Sequence, residues 1–432
     1  MAICGWSVRE RCLRDGPMIR IADSHRLPRW QRPEALLIAM TVAMALAFDV
    51  WMALLNNFAV EAARFDGADI GWLQTIREIP GFLAFGAVYV LLVMREQTLA
   101  YVSLLLLAIG AAATGFLPTF WGLALTTMVS SIGFHYFETV NQSLQLQWLS
   151  KERAPQVIGN LRAVAAGTAF VVFGVLILWG FMARGEAEIP VPLDYRWPYL
   201  AAGGLSLALV IAAILAFPRF EAPHAQRREL VVKRRYWLYY ALVFMGGARR
   251  QIFMVFATFM LVEKFGYELH ETAALLLANQ FVTMLVAPFI GRMIARFGER
   301  LALTVEYTGL IAVFLGYAVI YWLDASPLWA AVLYLADHIF FSIAFALKTY
   351  FQKIASPEDH APTAAVAFTI NHVAAVFLPA ALGYLYLTAP GAVFVLGAAM
   401  AFVSLCLARL VPRHPVEGFE TMLAGRRMAA AE

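Results

Sequence analysis

Two adjacent arginines, Arg249 and Arg250, sit near the middle of a hydrophobic run from Tyr236 to Val262. A run of that length reads as a bilayer-spanning helix, which needs roughly 20 apolar residues. A central arginine costs about 2.5 to 3.5 kcal/mol on insertion scales, so its presence needs a reason. Charges at that depth face a bundle interior or a wet cavity, opposite carboxylates, backbone carbonyls or an anionic ligand. Guanidinium grips a carboxylate or phosphate through two parallel hydrogen bonds. Successive helical residues point about 100° apart, so one arginine is expected to bind and the other to brace. Arg249 is the expected binder, and Arg250 leans toward a neighbouring helix or carbonyl. Gly246 and Gly247, one turn earlier, permit close helix approach.

A second pattern lies further upstream. Ser131, His135, Glu138, Gln142 and Gln145 follow one another at spacings of 4, 3, 4 and 3, which places all five on one helical face. Tyr334, Asp337, Phe341 and Lys348 share a face more thinly, and Asp49, Met52 and Asn56 form a third stripe. Such stripes are costly against lipid, so they imply a polar lumen. Arg249, Arg250, Asn56, His135 and Gln142 are the candidate substrate-binding residues; Asp49, Glu138 and Asp337 are the candidate proton-coupling residues. His135, His338, and His372 with Asn371 are the other polar residues at depth. An imidazole titrates near 6.5, which suits proton handling; a satisfied interhelical hydrogen bond is the alternative. His135 and Glu138 at i, i+3 are a legitimate metal-ligand pair. The other cluster, Asp337-His338, points two ways, and the arginine doublet repels a cation, so no metal is expected.

The remaining charges at depth read as structural or gating groups: Arg77, Glu78 and Arg162, with Arg296 and Arg300 at an inside turn. Arg77 and Glu78 diverge by about 100° and are not expected to satisfy each other. Glu138 and Arg162 lie 12 residues either side of Ser150, at similar depth on antiparallel neighbours, so a pair is expected there. Glu306 is expected to pair with the basic turn Arg296 to Arg300.

The elements that position these residues follow from composition. The chain is 62% hydrophobic and 14% charged over 432 residues, with mean hydropathy +0.70, a polytopic helical membrane protein. Cys4, Cys12 and Cys406 offer neither a disulfide framework nor a metal spacing. The arginine-rich start reads as a polar tail and not a cleaved signal, with Met18 an alternative first residue. Twelve hydrophobic segments follow, at approximately 35–60, 70–93, 97–117, 119–149, 156–182, 197–217, 236–262, 270–291, 301–323, 328–351, 362–388 and 391–411. Of the 33 Lys and Arg residues, 24 fall on the N-terminal side of this layout, four on the opposite side and five inside segments. By the positive-inside rule both termini are cytoplasmic. The expected organisation is a tail (1–34), a six-helix half (35–217), a basic linker (218–235), a second six-helix half (236–411) and a tail (412–432). Ser150 to Pro155 and Ser356 to Pro362 punctuate the halves alike, and an offset of 200 aligns Phe65 with Phe265 and Asp49 with Arg249. Two halves repeated in parallel, with a site between them, form a transporter arrangement. Asp49 and Arg249 then read as a salt bridge between halves or as substrate or proton ligands.

The turn Gly291-Arg-Met-Ile-Ala295-Arg296-Phe-Gly298-Glu-Arg300 resembles the major facilitator superfamily signature Gly-x-x-x-Asp-Arg-x-Gly-x-Arg. Ala295 stands where the family's acid would be, and the first-half turn Met94-Arg95-Glu96-Gln97 lacks the pattern. The resemblance implies an all-α membrane protein of twelve helices in two pseudo-symmetric halves. It also implies that the first, fourth, seventh and tenth helices line a central cavity. Helix five carries Gly167 and Gly174 but no Gly-Pro pair of the kind in many drug antiporters of the superfamily.

No phosphate-cradling glycine loop or nucleophile elbow is legible, so neither an enzyme nor an ATP-driven pump is expected. The reading is a proton-coupled secondary transporter for a small organic solute, carboxylate- or phosphate-bearing. Multidrug or cation efflux, or a non-transporting sensor or scaffold, are the alternatives. The expected partners are the small-molecule substrate, protons and the lipid bilayer, with no cofactor and no nucleic acid. The expected state is a monomer in a bacterial inner membrane.

Overall fold

The computed structural model describes residues 18–91, 93–149, 154–183, 194–221, 232–356 and 359–423. Counting a helix that kinks without reversing as one pass, the first half comprises α1 (Pro33–Glu61), α2 (Gly67–Phe82, continued by a 3-10 turn Leu83–Gly86 and Ala87–Val90), α3 (Glu96–Thr114), α4 (Phe120–Trp148), α5 (Ala154–Ala183) and α6 (Arg196–Ala216). The second half comprises α7 (Trp237–Gln251, a π-helical turn Ile252–Ala257, then Thr258–Glu263), α8 (Leu269–Phe297), α9 (Glu299–Trp322), α10 (Pro327–Ser342 and Phe345–Ile354), α11 (His360–Thr388) and α12 (Pro390–Ala408). Among the described residues nine of these passes are long and apolar enough to cross a membrane. The three outside that set, α2, α4 and α7, carry Arg77, Glu78, Glu138, Arg249 and Arg250 at depth.

Local chemistry sets the ends. Pro33, Pro327 and Pro390 occupy first-turn positions, where the missing N–H costs nothing. Asp66 and Asp69 close a reciprocal capping box on α2, and the Thr119 hydroxyl accepts from the Gly122 amide at the start of α4. Gly298, in the signature turn, has φ +81°, a conformation that favours glycine. Not all of 18–34 is a loose tail. β1 (Met18–Arg20) pairs in parallel with β2 (Arg219–Glu221), and Gln31 donates to the Ala216 carbonyl at 2.9 Å, tying the segment before α1 to the end of α6. Lys151 and residues 222–231 of the basic linker lie outside the described residues.

The halves meet along α2–α11 and α5–α8, and the tightest contacts lie at the ends far from the chain termini. A Cβ on Gly67 would sit 2.5 Å from the Tyr386 ring, and one on Gly71 would strike the Pro379 carbonyl. Pro379 interrupts the ladder of α11; beside it the Ala380 amide donates to Thr75 Oγ1 at 3.2 Å. On the same seam Trp72 donates to Tyr384 at 3.1 Å, and toward α8 Asn57 of α1 donates to the Tyr267 carbonyl at 3.0 Å and accepts from Thr272 at 2.9 Å. All four side-chain hydrogen bonds between halves among the described residues lie on this side or just above mid-depth. The bundle is sealed there.

Candidate functional site

A cavity of about 480 Å³ lies between the halves. Phe48 and Trp51 of α1 and Phe134 of α4 form an aromatic wall, with Phe48 stacked on Phe134 at 4.2 Å. Polar groups come from α2 (Arg77, Glu78), α4 (Ser130, Ser131, His135, Glu138, Gln142), α7 (Arg250), α10 (Lys348) and α11 (Asn371, His372). Gly247 brings α7 against α11: a Cβ there would lie 3.0 Å from Asn371 Nδ2. Gly246 meets nothing within 4 Å.

Glu78, 2% exposed, is the hub. Its Oε1 lies 2.5 Å from Arg77 Nη2, and its Oε2 lies 3.7 Å from Arg250 Nη2 and 3.6 Å from His372 Nε2. Arg250 and His372 belong to the second half, so this one carboxylate links both halves at mid-depth. Pro80 and Gly81 follow it after Ile79. Proline clashes with the carbonyl four residues back and removes a donor, and α2 gives way to a 3-10 turn within two residues. The Ser131 hydroxyl donates to the Arg77 carbonyl, one turn before this break. The π-helical turn of α7 begins two residues past Arg250, and such turns cluster at functional positions in helices.

A second charged cluster is closed off within the second half. Arg249, 3% exposed, faces Glu306 of α9 at 3.7 Å and lies over the Tyr307 ring at 4.4 Å. Its field also reaches Asp337 of α10. Glu306 and Asp337 are 0% and 1% exposed, and neither has a protein hydrogen-bond partner among the described residues.

The expected site residues therefore divide. His135, Glu138, Gln142 and Arg250 line the cavity, with Ser131 of the same stripe. Arg249, Asn56, Asp49 and Asp337 do not, and Asp49 forms no ion pair with Arg249. Arg249 faces Glu306 and Tyr307 of its own half instead. Of the doublet it is Arg250, and not Arg249, that reaches the cavity. Glu306 pairs with Arg249 and not with the basic turn, because it sits buried two turns into α9. Arg77 and Glu78 do bond, since the long arginine side chain folds across the angle that separates them. Glu138 makes no bond to Arg162, which is exposed; it shares the cavity lining with Arg250 and Lys348. Arg296 and Arg300 lie at the terminal-side turn, where Arg296 lines a shallow pocket against Arg413 and Val416. The charged contributions of α2 and the histidine of α11 to the lumen are not foreseeable from a stripe, since Arg77-Glu78 and Asn371-His372 are adjacent pairs and not a helical period.

The sequence profile of the superfamily matches residues 35–379. The chain belongs to the Major Facilitator Superfamily. It is an integral, multi-pass membrane transporter. Among solved structures, the nucleoside transporter NupG superposes with TM-score 0.71 at 14% identity, covering 87% of this chain and 99% of NupG. A POT family transporter in complex with 5-aminolevulinic acid gives 0.66 at 10% identity, covering 87% and 94%. A bacterial homologue of the iron transporter ferroportin, in an inward-facing state, gives 0.64 at 14% identity, covering 87% and 97%. At these identities the likeness concerns the fold. No curated protein matches the chain significantly in sequence.

Proposed function

We propose that this facilitator is a proton-coupled secondary transporter for a small organic anion, binding its carboxylate or phosphate in the cavity between the halves. The observation that carries this is the charge of the lining: Arg77, Arg250 and Lys348 face Glu78 and Glu138. Glu78 is already engaged by Arg77 at 2.5 Å, while Arg250 has only a 3.7 Å contact to it. Arg250 can therefore exchange that loose partner for a substrate anion, breaking one tie between the halves as it does so. The aromatic wall offers a flat apolar face to the organic part of the solute. A cavity polar on one side and aromatic on the other suits such a molecule.

Proton coupling is supported by Glu138 in the lumen. Asp337 is not in the lumen but shares a field with Arg249, one residue from Arg250. Alternating access would rock the halves about the sealed seam, with both termini cytoplasmic and a monomer as the working unit in a bacterial inner membrane. The test is accumulation of candidate organic anions in vesicles under an imposed pH gradient. The expected result is uptake that collapses with a protonophore. Export of an organic cation instead would replace this reading with the multidrug one, for which Glu138 would be the binding carboxylate.

A further inference from the structure

Three acceptors converge at the centre of the cavity. His135 of α4 and His372 of α11 stand edge to face at 5.3 Å, and one ligand atom from each, with a Glu78 carboxylate oxygen, lie within 4.8 Å of one another. The tautomers are fixed from behind. His372 Nδ1 lies 2.8 Å from the Phe368 carbonyl, which accepts only, so Nδ1 carries the hydrogen. His135 Nδ1 lies 3.0 Å from the Ser131 carbonyl and 3.0 Å from its hydroxyl oxygen. That hydroxyl spends its own hydrogen on the Arg77 carbonyl, so His135 Nδ1 is a donor too. Each neutral ring therefore presents an Nε2 lone pair inward. Glu78 Oε2 has no hydrogen-bond partner, although it is buried.

Two Nε2 lone pairs turned toward a buried carboxylate oxygen that has no hydrogen-bond partner make an incomplete arrangement, since buried polar atoms are ordinarily paired. We propose that Glu78, His135 and His372 bind the coupling proton, held on an imidazole Nε2 and donated toward Glu78 Oε2. The proposal rests on the proton-coupled reading above and assigns its site to residues other than Asp49, Glu138 and Asp337. One proton fits better than a divalent metal ion. Arg77 already holds Oε1, Arg250 stands 3.7 Å from Oε2, and both would repel a dication twice as strongly as a single charge. The charged groups facing the triangle are Arg77 on α2, Glu138 on α4, Arg250 on α7 and Lys348 on α10; α1 presents Phe48 and Trp51, and α11 adds Asn371.

Two consequences follow from the position. The added charge raises the lumen's attraction for an anion, and by linkage a bound anion raises its affinity for the proton in the same ratio, which is symport chemistry. The imidazolium of His372 would also tie the second half to Glu78 of the first. Gly81 makes the meeting possible, because a Cβ there would lie 2.7 Å from His135 Nε2 and would also strike the His372 ring.

The experiment is a pH titration of the full chain, with 15N-labelled histidine, in detergent micelles by NMR from pH 8.5 to 5, no substrate added. The expected result is that His135 and His372 begin as Nδ1–H tautomers and take up a proton as a coupled pair. Glu78→Gln should weaken that uptake at least tenfold and leave His25 and His414 unmoved. Gly81→Ala, which alters no charge, keeps the test open if Glu78→Gln fails to fold, and should uncouple the two rings. Rings that stay neutral throughout, or a titration indifferent to both substitutions, would overturn the proposal. So would stoichiometric binding of Co²⁺ at pH 7.5, read by its visible spectrum and lost in His135→Gln. Uptake of anion driven by pH in a chain whose triangle does not titrate would defeat this inference alone; a titrating triangle in a chain that ignores the pH gradient would defeat the coupling itself.

Discussion

Arg249 and Arg250 are neighbours in sequence and inhabit two different sites. Arg249 is sealed into the second half against Glu306 and Tyr307, at 3% exposure; Arg250, with its side chain 30% exposed, reaches the lumen and faces Glu78 across the boundary between halves. The difference comes from one helical step. It separates a charge enclosed within one half from a charge that reaches the lumen between the halves, and sequence patterns that place a residue at depth do not say on which side of that step it falls.

The comparison breaks most visibly on the Arg249 side. Truncating one partner of a buried ion pair costs about 3 to 5 kcal/mol, because the other charge is left uncompensated. Glu306→Ala should therefore lower folded yield and thermal stability severely, measured by fluorescence-detected size exclusion after heating, while Glu138→Ala in the wet lumen leaves both near wild type. Overpacking the sealed seam comes next. Gly71→Leu forces a side chain into the Pro379 carbonyl and toward the Gly383 Cα, which would lie 3.1 Å from the new Cβ, and should destabilise by about 1 to 3 kcal/mol. Gly246→Leu, in open space, should cost far less in the same melting measurement.

Arg250→Lys sharpens the contrast from the other side. Lysine keeps the charge and loses the bidentate fork, so anion uptake should fall at least tenfold at unchanged expression, whereas Gln142→Glu should reduce uptake through charge alone. The smallest effect is expected outside the membrane. Asp359 at the start of α11 takes Lys233 at 2.7 Å, Tyr236 at 2.6 Å, Ser356 at 2.9 Å and Arg235 at 3.0 Å. The hydrogen bond from Lys233, followed by that from Tyr236, holds its carboxyl well below the ordinary 3.8 against the opposing effect of burial. A group depressed in the folded state stabilises above its unfolded value. The contribution is therefore complete at neutral pH and fades as pH falls below about 4; Asp359→Asn should flatten that part of the melting-temperature profile.

Much of this architecture was legible because the physics is local. The expected segment 35–60 is α1 (Pro33–Glu61), and 119–149 is α4 (Phe120–Trp148), since hydrophobic length and polar punctuation are one-dimensional signals. The α4 stripe was legible for the same reason, as a 3.6-residue period fixes a face. Pairings between helices were not. The offset of 200 matched Asp49 to Arg249 in depth, but azimuth decides contact, and Arg249 found Glu306. Glu78 looked like half of an awkward dipeptide. Its role as hub depends on the break at Pro80-Gly81 and on two histidines 237 positions apart in sequence, which only the packing of α4 against α2 and of α2 against α11 unites.

The central claim is that the lumen beside Arg250 binds an organic anion. It is tested most directly by a thermal-shift screen of the purified chain and its Arg250→Gln variant against organic anions, sugars, amino acids and hydrophobic cations. A ligand that binds the folded form stabilises it by mass action, about 2.7 kcal/mol at a hundred times its Kd. The account predicts that a carboxylate- or phosphate-bearing compound raises the melting temperature of the wild type and fails to do so for Arg250→Gln. Stabilisation by a cation or a neutral sugar alone, or an anion response that survives the loss of Arg250, would contradict it.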